Sequence, residues 1–445
     1  MSKRTVIIGN GISGITAARH IRKRSDRQII VISGETDHFF ARTALMYIYM
    51  GHLNYEDTKP YEDFFWDKNR IELIREWVEG VDTENKKVLL TDEKQVGYDE
   101  LILATGSTYN KFGWPGQDLK GVQGLYSYQD LQLMEENTKN IEQAVIVGGG
   151  LIGVEMAEML STRNIPVTFL VREDRYWGNV LPYEEGEVIC RHIHEHHIDL
   201  RLQTEMKEII DDGNGRVKGI RTKDGQEIEC QFVGLTVGVH PKIKIVKDSN
   251  IETDKGILVN NYLETNIPDV YAIGDCAQFK EPPPGRAPIQ QVWYTGRMQG
   301  ETVAKTICDE KTEYKPGVWF NSAKFFDIEY QTYGVVKPQL EENEDSFYWE
   351  HENGKKCIRV VFDKNTGVVK AFNLLGIRFR HEVCEMWIKE GKHIDEVMQH
   401  LPRANFDPEF YKQHEPEIIE KYNLENNKSL QLKAKKGLFQ KLGIK

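Results

Sequence analysis

Apolar positions along the chain follow two alternating rhythms. Short β-branched runs, Thr5-Val6-Ile7-Ile8 and Ile29-Ile30-Val31-Ile32, flank a stretch in which Ile15, Ala17, Ala18 and Ile21 recur at helical spacing. Continuous apolar runs of this length read as strands buried on both faces, and the segment between them as a helix packed on their sheet. The same order returns at Gln143–Val147, Val154 to about Thr162, and Pro166–Val171. Such alternation predicts parallel sheets covered by helices. Beyond residue 316 the rhythm changes to strand after strand: Val318–Phe326, Tyr330–Val336, Ser346–His351, Lys356–Phe362 and Val368–Leu375, with a turn at Asn365-Thr366-Gly367. Helices are expected at 379–390 and 394–400, then a polar segment holding Pro402, Pro408 and Pro416.

Each strand–helix junction carries glycines. Gly9-Asn10-Gly11-Ile12-Ser13-Gly14 follows the first strand, and Gly148-Gly149-Gly150-Leu151-Ile152-Gly153 follows the second-repeat strand. In this context G-x-G-x-x-G is a dinucleotide fingerprint. Gly9 permits the tight turn, Gly11 lets backbone approach a pyrophosphate, and Gly14 lets helix and strand pack closely. The helix N-terminus then faces the phosphates. Glu35, just past the second strand, is well placed to accept hydrogen bonds from a ribose diol. Two complete units roughly 140 residues apart imply two dinucleotides on one chain, and hence electron transfer between them.

Length and composition agree with that picture. At about 150 residues per domain, 445 residues suggest three domains. With 40% hydrophobic residues the chain is too apolar for disorder. The net charge of −11 argues against a nucleic-acid binder. No apolar run reaches the 18 or so residues of a membrane span. The basic start Met1-Ser2-Lys3-Arg4 is interrupted by Asn10, Ser13 and glycines before any apolar core could form, so a secretory signal is not expected. Six cysteines, at 190, 230, 276, 308, 357 and 384, make no CxxC pair, which fits reduced thiols and a cytoplasmic location.

Two further segments complete a pattern: Tyr98–Ser107, a strand ending in Ala104-Thr105-Gly106, and Thr265–Asp275, a strand ending in Gly274-Asp275. With the two fingerprints, in this order, the chain resembles the pyridine nucleotide–disulfide reductase superfamily of two-dinucleotide flavoproteins over about residues 4–310. The resemblance implies an α/β fold with two Rossmann-like dinucleotide-binding domains, for FAD and NAD(P), plus a C-terminal α+β domain. The boundaries expected are 1–112 and 245–315 for the FAD domain, 113–244 for the NAD(P) domain, 316–425 for an interface domain that makes a homodimer or walls the flavin, and 426–445 for a basic tail. It also implies that the first fingerprint with Glu35 holds the FAD adenosine half and that Thr105-Gly106 marks the crossing between domains. Asp275 would bind the ribityl chain, and the second fingerprint would bind NAD(P)H. Val81, Ala104, Gly238, Gly274, Val292 and Trp293 would border the cofactors, with the helix after Trp293 facing the pyrimidine end of the flavin; Trp293 could instead be core.

Disulfide reductases of this superfamily keep a redox cysteine in the first third of the chain, and none stands before Cys190 here. Electrons would therefore leave directly from the flavin. In the cysteine's place Phe39-Phe40-Ala41-Arg42-Thr43-Ala44-Leu45-Met46 resembles the aromatic-x-Arg segment of ferredoxin, rubredoxin and nitrite reductase flavoproteins, with Thr43 and Tyr47 departing from the usual Pro and Lys. Arg42 is assigned to the flavin and its pyrophosphate, and Glu155 to the nicotinamide carboxamide. At the coenzyme-selecting position stands Val171, followed by Arg172, Glu173, Asp174 and Arg175. Loss of the acid, with Arg172 and Arg175 near, favours NADPH; Glu173 could instead serve NADH.

The run Cys190, His192, His194, His196, His197 is read as a solvated helical face, with no metal assigned. The last 20 residues hold Lys428, Lys433, Lys435, Lys436, Lys441 and Lys445 and no acid. That tail is read as solvated, with peripheral membrane contact or docking of an acidic carrier as the alternatives. The expected activity is an FAD-dependent NAD(P)H oxidoreductase with a small redox protein as acceptor. A quinone or oxygen reductase at the membrane surface, and a redox-switched signalling flavoprotein, are the competing readings.

Overall fold

A computed structural model of the chain describes residues 2–308, 310–406, 410 and 412–433. The chain divides into two compact units: residues up to Leu170 with Thr204–Pro316, and Val171–Gln203 with the segment from Gly317 onward.

The first unit contains both glycine-fingerprint repeats. Arg4–Ile8 is the centre of a five-stranded sheet, in the order Val270–Ala272, Glu100–Leu103, Arg4–Ile8, Gln28–Ile32, Ile71–Ile74, with every pair parallel. Its strands are buried on both faces, as their unbroken apolar runs require. Helices Ile12–Arg24 and Trp293–Ile307 meet at small residues. A Cβ on Gly296 would lie 2.5 Å from Ser13 Oγ, and one on Gly300 would lie 2.6 Å from the Ser13 carbonyl oxygen. The second repeat places Val167–Leu170, Ala144–Val147, Phe232–Leu235 and Val122–Gln123 in a second parallel array, with helix Leu151–Thr162 following its fingerprint. Antiparallel Val239–Pro241 and Ser107–Tyr109 form a two-stranded ribbon beside the Ala104-Thr105-Gly106 crossing.

In the second unit Phe320–Phe325, Ile328–Tyr333, Val369–Leu375, Cys357–Asp363 and Glu344–Glu350 form an antiparallel sheet in that spatial order. Helices His381–Lys389 and Ile394–Gln399 match expectation within two residues. The segment expected to be polar and irregular instead contains helix Glu415–Asn426. Pro416 sits in its first turn, where proline costs nothing because that N–H has no intrahelical acceptor. Ile418, Ile419 and Tyr422 supply the buried face.

Val171–Gln203 belongs to the second compact unit, together with the C-terminal sheet. The buried Arg359 explains it: its Nε donates to Glu185 Oε1 at 2.8 Å and its Nη2 to Glu184 Oε2 at 2.7 Å, both on helix Tyr183–Glu195. Trp177 adds edge-on packing against Phe325 and Tyr330. That helix is not a wholly solvated face either: Cys190 and His192 are buried, whereas His194 and His197 are exposed. Of the expected basic tail, Lys428 pairs with Asp395 at 2.6 Å. Lys435, Lys436, Lys441 and Lys445 lie outside the described residues.

Candidate functional site

A cavity of about 800 Å³ runs through the first unit and gathers residues from both fingerprints. Gly11, Ile12 and Ser13 line one wall, and no side chain caps the helix that starts there. Its first N–H groups are therefore available to an anion. The three glycines of the first turn act differently. Gly9 has a φ of +111°, and a Cβ there would overlap the Ala104 carbonyl oxygen. A Cβ on Gly14 would overlap the Gly9 oxygen, whereas one on Gly11 would project into open space. Gly9 and Gly14 serve the backbone; Gly11 keeps the cavity clear.

Glu35 and Arg42 both line this cavity and pair with each other. Arg42 Nη1 and Nη2 donate to Glu35 Oε1 and Oε2 at 2.7 and 2.6 Å, in two-pronged geometry. Nη1 also donates to the Tyr126 carbonyl oxygen at 2.6 Å, and the Tyr128 N–H donates to Glu35. Burial disfavours the Glu35 carboxylate, but Arg42 and the Tyr128 N–H outweigh it and hold the carboxyl below its ordinary range. The Tyr126 hydroxyl accepts from the Ser107 N–H and donates to Asp275 Oδ2 at 3.0 Å. Burial pushes the Asp275 carboxyl up, and its bond from Tyr126 and the charge of Arg42 only partly offset that.

Ile152 and Glu155, on the first turns of helix Leu151–Thr162, reach the same cavity. Burial, with Glu158 nearby, pushes the Glu155 carboxyl up to about 7, although part of the side chain stays open to the cavity. Trp293 and the Ala104, Thr105, Gly106 crossing complete the lining. The crossing is fixed by Thr105 Oγ1 donating to the Lys242 carbonyl oxygen at 2.6 Å.

Other expected residues stand behind the lining or apart from it. Gly274 (φ +72°) turns the chain ahead of Asp275, Val292 caps helix Trp293–Ile307, and Gly238 (φ +89°) abuts Asn110. Gly148, Gly150 and Gly153 form the second turn, where a Cβ on Gly148 would strike the Thr236 carbonyl oxygen at 2.6 Å. Val81 lies in the core, and Trp77 and Val78 of the same segment face the cavity. Arg172 and Arg175 belong to the second unit, where Arg172 pairs with Glu173 at 2.7 Å and Arg175 with Asp174 at 3.0 Å.

Sequence reasoning missed Trp77, Lys242, Ser107, Tyr126 and Gln291, all on the lining. Trp77 lies against Gly34, and Lys242 Nζ stands 5.2 Å from its ring centre. Trp77, Lys242 and Tyr126 come from segments without a motif, whereas Ser107 directly follows Ala104-Thr105-Gly106 and Gln291 precedes Val292. The one early signal was the turn Ser33-Gly34-Glu35, whose bare glycine admits an indole.

This arrangement fits an adenine dinucleotide carrying a flavin. The cavity, at about 800 Å³, has the volume for a large cofactor, Gly11 leaves room for a pyrophosphate at a helix N-terminus, and Glu35 retains an acceptor position on Oε2. Three of the five Arg42 N–H bonds are taken, which leaves donors for a phosphate.

The family model for pyridine nucleotide-disulphide oxidoreductases matches residues 3–300. A nitrite reductase [NAD(P)H] from Bacillus subtilis is 30% identical over 402 residues, covering 89% of this chain and 47% of its own length. The chain thus spans about half the length of that relative. A ferredoxin–NAD(P)+ reductase from a Sphingomonas species is 30% identical over 340 residues, covering 74% of this chain and 81% of its own. Among solved structures, an NAD-dependent persulfide reductase from A. fulgidus superposes with a TM-score of 0.81 over 95% of this chain and 84% of that one, at 20% identity. With the family model spanning both fingerprints, the chain belongs to the pyridine nucleotide-disulphide oxidoreductase family.

Proposed function

We propose that the chain is an FAD-dependent NAD(P)H oxidoreductase that passes electrons from the flavin directly to an external acceptor, a small ferredoxin- or rubredoxin-like protein. FAD and NAD(P)H are the cofactors of the family. The observation that carries the reading is one cavity shared by Gly11, Asp275 and Glu155, with Arg42 and Thr43 rather than a cysteine beside it. No cysteine lines it among the described residues, so a thiol relay has no starting point there. The ferredoxin–NAD(P)+ reductase relative supports the choice of acceptor class.

In this reading Glu35 accepts from ribose hydroxyls, and Arg42 and the first helix N-terminus hold the pyrophosphate. Asp275, anchored by Tyr126, takes the ribityl hydroxyls, and Gly148, Gly150 and Gly153 seat the second dinucleotide. Bound FAD supplies hydride acceptance from the nicotinamide and onward delivery of electrons one or two at a time. Glu155 holds a proton below about 7 and offers a hydrogen bond; above that value it accepts one, from the nicotinamide carboxamide. Trp293 excludes water from one end of the cavity. Val171 in place of an acid, followed by Arg172 and Arg175, favours NADPH.

Stopped-flow reduction of the reconstituted flavoprotein by NADH and by NADPH, then reoxidation by ferredoxin, rubredoxin, quinone and oxygen, tests this. Fast reduction followed by fastest reoxidation with an iron–sulfur or rubredoxin protein is expected. Failure to bind FAD, or fastest turnover with quinone or oxygen, would sink it.

A further inference from the structure

The second unit holds a ligand set that the flavin chemistry does not use. His192 and His196 stand four residues apart on and just past helix Tyr183–Glu195, so their rings share one side of it. Both Nε2 atoms point at one oxygen of Asp327: His192 at 2.5 Å and His196 at 3.3 Å from Oδ1. We propose that His192, His196 and Asp327 form a binding site for one divalent transition-metal ion of the zinc class.

Hydrogen-bond accounting is the first argument. His192 is 2% exposed, and its Nδ1 lies 3.4 Å from Glu195 Oε2. Glu195 is placed to accept from Nδ1–H, the arrangement found behind metal-bound imidazoles. Nε2 faces Asp327, and a metal ion would replace the hydrogen bond that joins the two in its absence. Two imidazole nitrogens and a carboxylate oxygen converge on one place, and a metal ion can take all three as ligands. Lys355 neutralises Glu195 at 2.7 Å from behind, leaving Asp327 as the anion of the set.

Preorganisation is the second argument. Phe326 and Asp327 form the two-residue turn between paired strands Phe320–Phe325 and Ile328–Tyr333. Phe326 has a φ of +53°, a region that glycine fills at less cost. Its ring stacks on His196, with centroids 4.2 Å apart and planes at 11°, fixing the imidazole plane. With zinc–nitrogen bonds of about 2.0–2.1 Å, tetrahedral donor atoms stand about 3.3 Å apart. The His196–Asp327 separation already has that value, and the His192 contact must open by roughly 0.8 Å. The Asp327 side chain, 66% exposed, has room to retreat and leaves the fourth position to solvent. Two imidazoles with one carboxylate suit zinc, cobalt, nickel or copper better than calcium or magnesium.

A second group, His351, His414 and Glu417, provides an internal contrast. There Lys356 Nζ stands 3.0 Å from His414 Nε2, so a cation already serves that ring.

The test is titration of the full-length, chelator-treated flavoprotein with Zn2+ alone, followed by calorimetry and by thermal midpoint with and without Zn2+. The expected result is one equivalent bound, weakened at least tenfold in H196Q and in D327N and unchanged in H351Q. The Zn2+-dependent rise in midpoint should disappear in the same two variants. Unaltered flavin content and far-UV spectrum verify their folding, and the exposed D327N covers the case in which H196Q misfolds. No saturable binding, binding indifferent to H196Q and D327N, or binding lost in H351Q would each overturn the proposal.

Discussion

Glu155 sits where a carboxylate resists ionisation. Its folded-state value of about 7 lies above the ordinary 4.5, so the folded chain binds the extra proton between those limits. Stability from this group is therefore complete below about 4.5 and is lost as pH rises through 7. E155Q should match the parent near pH 5 and exceed it near pH 8 by on the order of 1–3 kcal/mol in chemical denaturation of the apoprotein. Equal stabilities at pH 8 would contradict the assignment. The same substitution should flatten the pH dependence of flavin reduction near 7, read by stopped flow. Arg42 behaves oppositely: R42A strands Glu35 half-encased without its partner and should weaken FAD binding at least tenfold by fluorescence titration, whereas R42K retains part of it. Both residues were legible because a motif fixes their neighbours. Tyr126 and Trp77 were not, because their place depends on how distant segments converge on the cavity rather than on local spacing.

At the scale of elements, the first strand–turn–helix was readable almost atom by atom, since its chemistry is a spacing of glycines. The structure separates what the spacing could not. A Cβ on Gly14 would overlap the Gly9 carbonyl oxygen, so G14A must push helix Ile12–Arg24 off its sheet. A Cβ on Gly11 meets nothing, so G11A should fold normally. Expected outcomes are an apoprotein midpoint lowered by several degrees for G14A and nearly unchanged for G11A, with flavin content lost in both. Retained flavin in G11A would show that no pyrophosphate approaches that backbone. Helix Glu415–Asn426 illustrates the converse: it lies in the segment read only as polar, and Pro416, in its first turn, has no hydrogen bond to remove.

For the whole molecule, element order was legible, and the long-range contacts that tie distant segments together were not. Sequence places 171–203 inside a nucleotide repeat, because strands and helices there continue its rhythm. What ties the segment to the C-terminal sheet is a few long-range contacts, above all Arg359 with Glu185, whose side chain has no exposed surface. A guanidinium that reads as a strand residue with an outward charge turns out to be a buried cation, and nothing local announces its partner. Removing one member of such a pair costs about 3–5 kcal/mol, because the other is left charged in a dry site, whereas replacing both by apolar side chains of similar volume is close to neutral. R359M alone should therefore destabilise the full chain by several kcal/mol in denaturant unfolding, and R359M/E185M should recover most of that loss. If the double variant falls as far as the single one, the pair is not what ties helix Tyr183–Glu195 to strand Cys357–Asp363. The apolar contacts of Trp177 with Phe325 and Tyr330 would then carry the attachment.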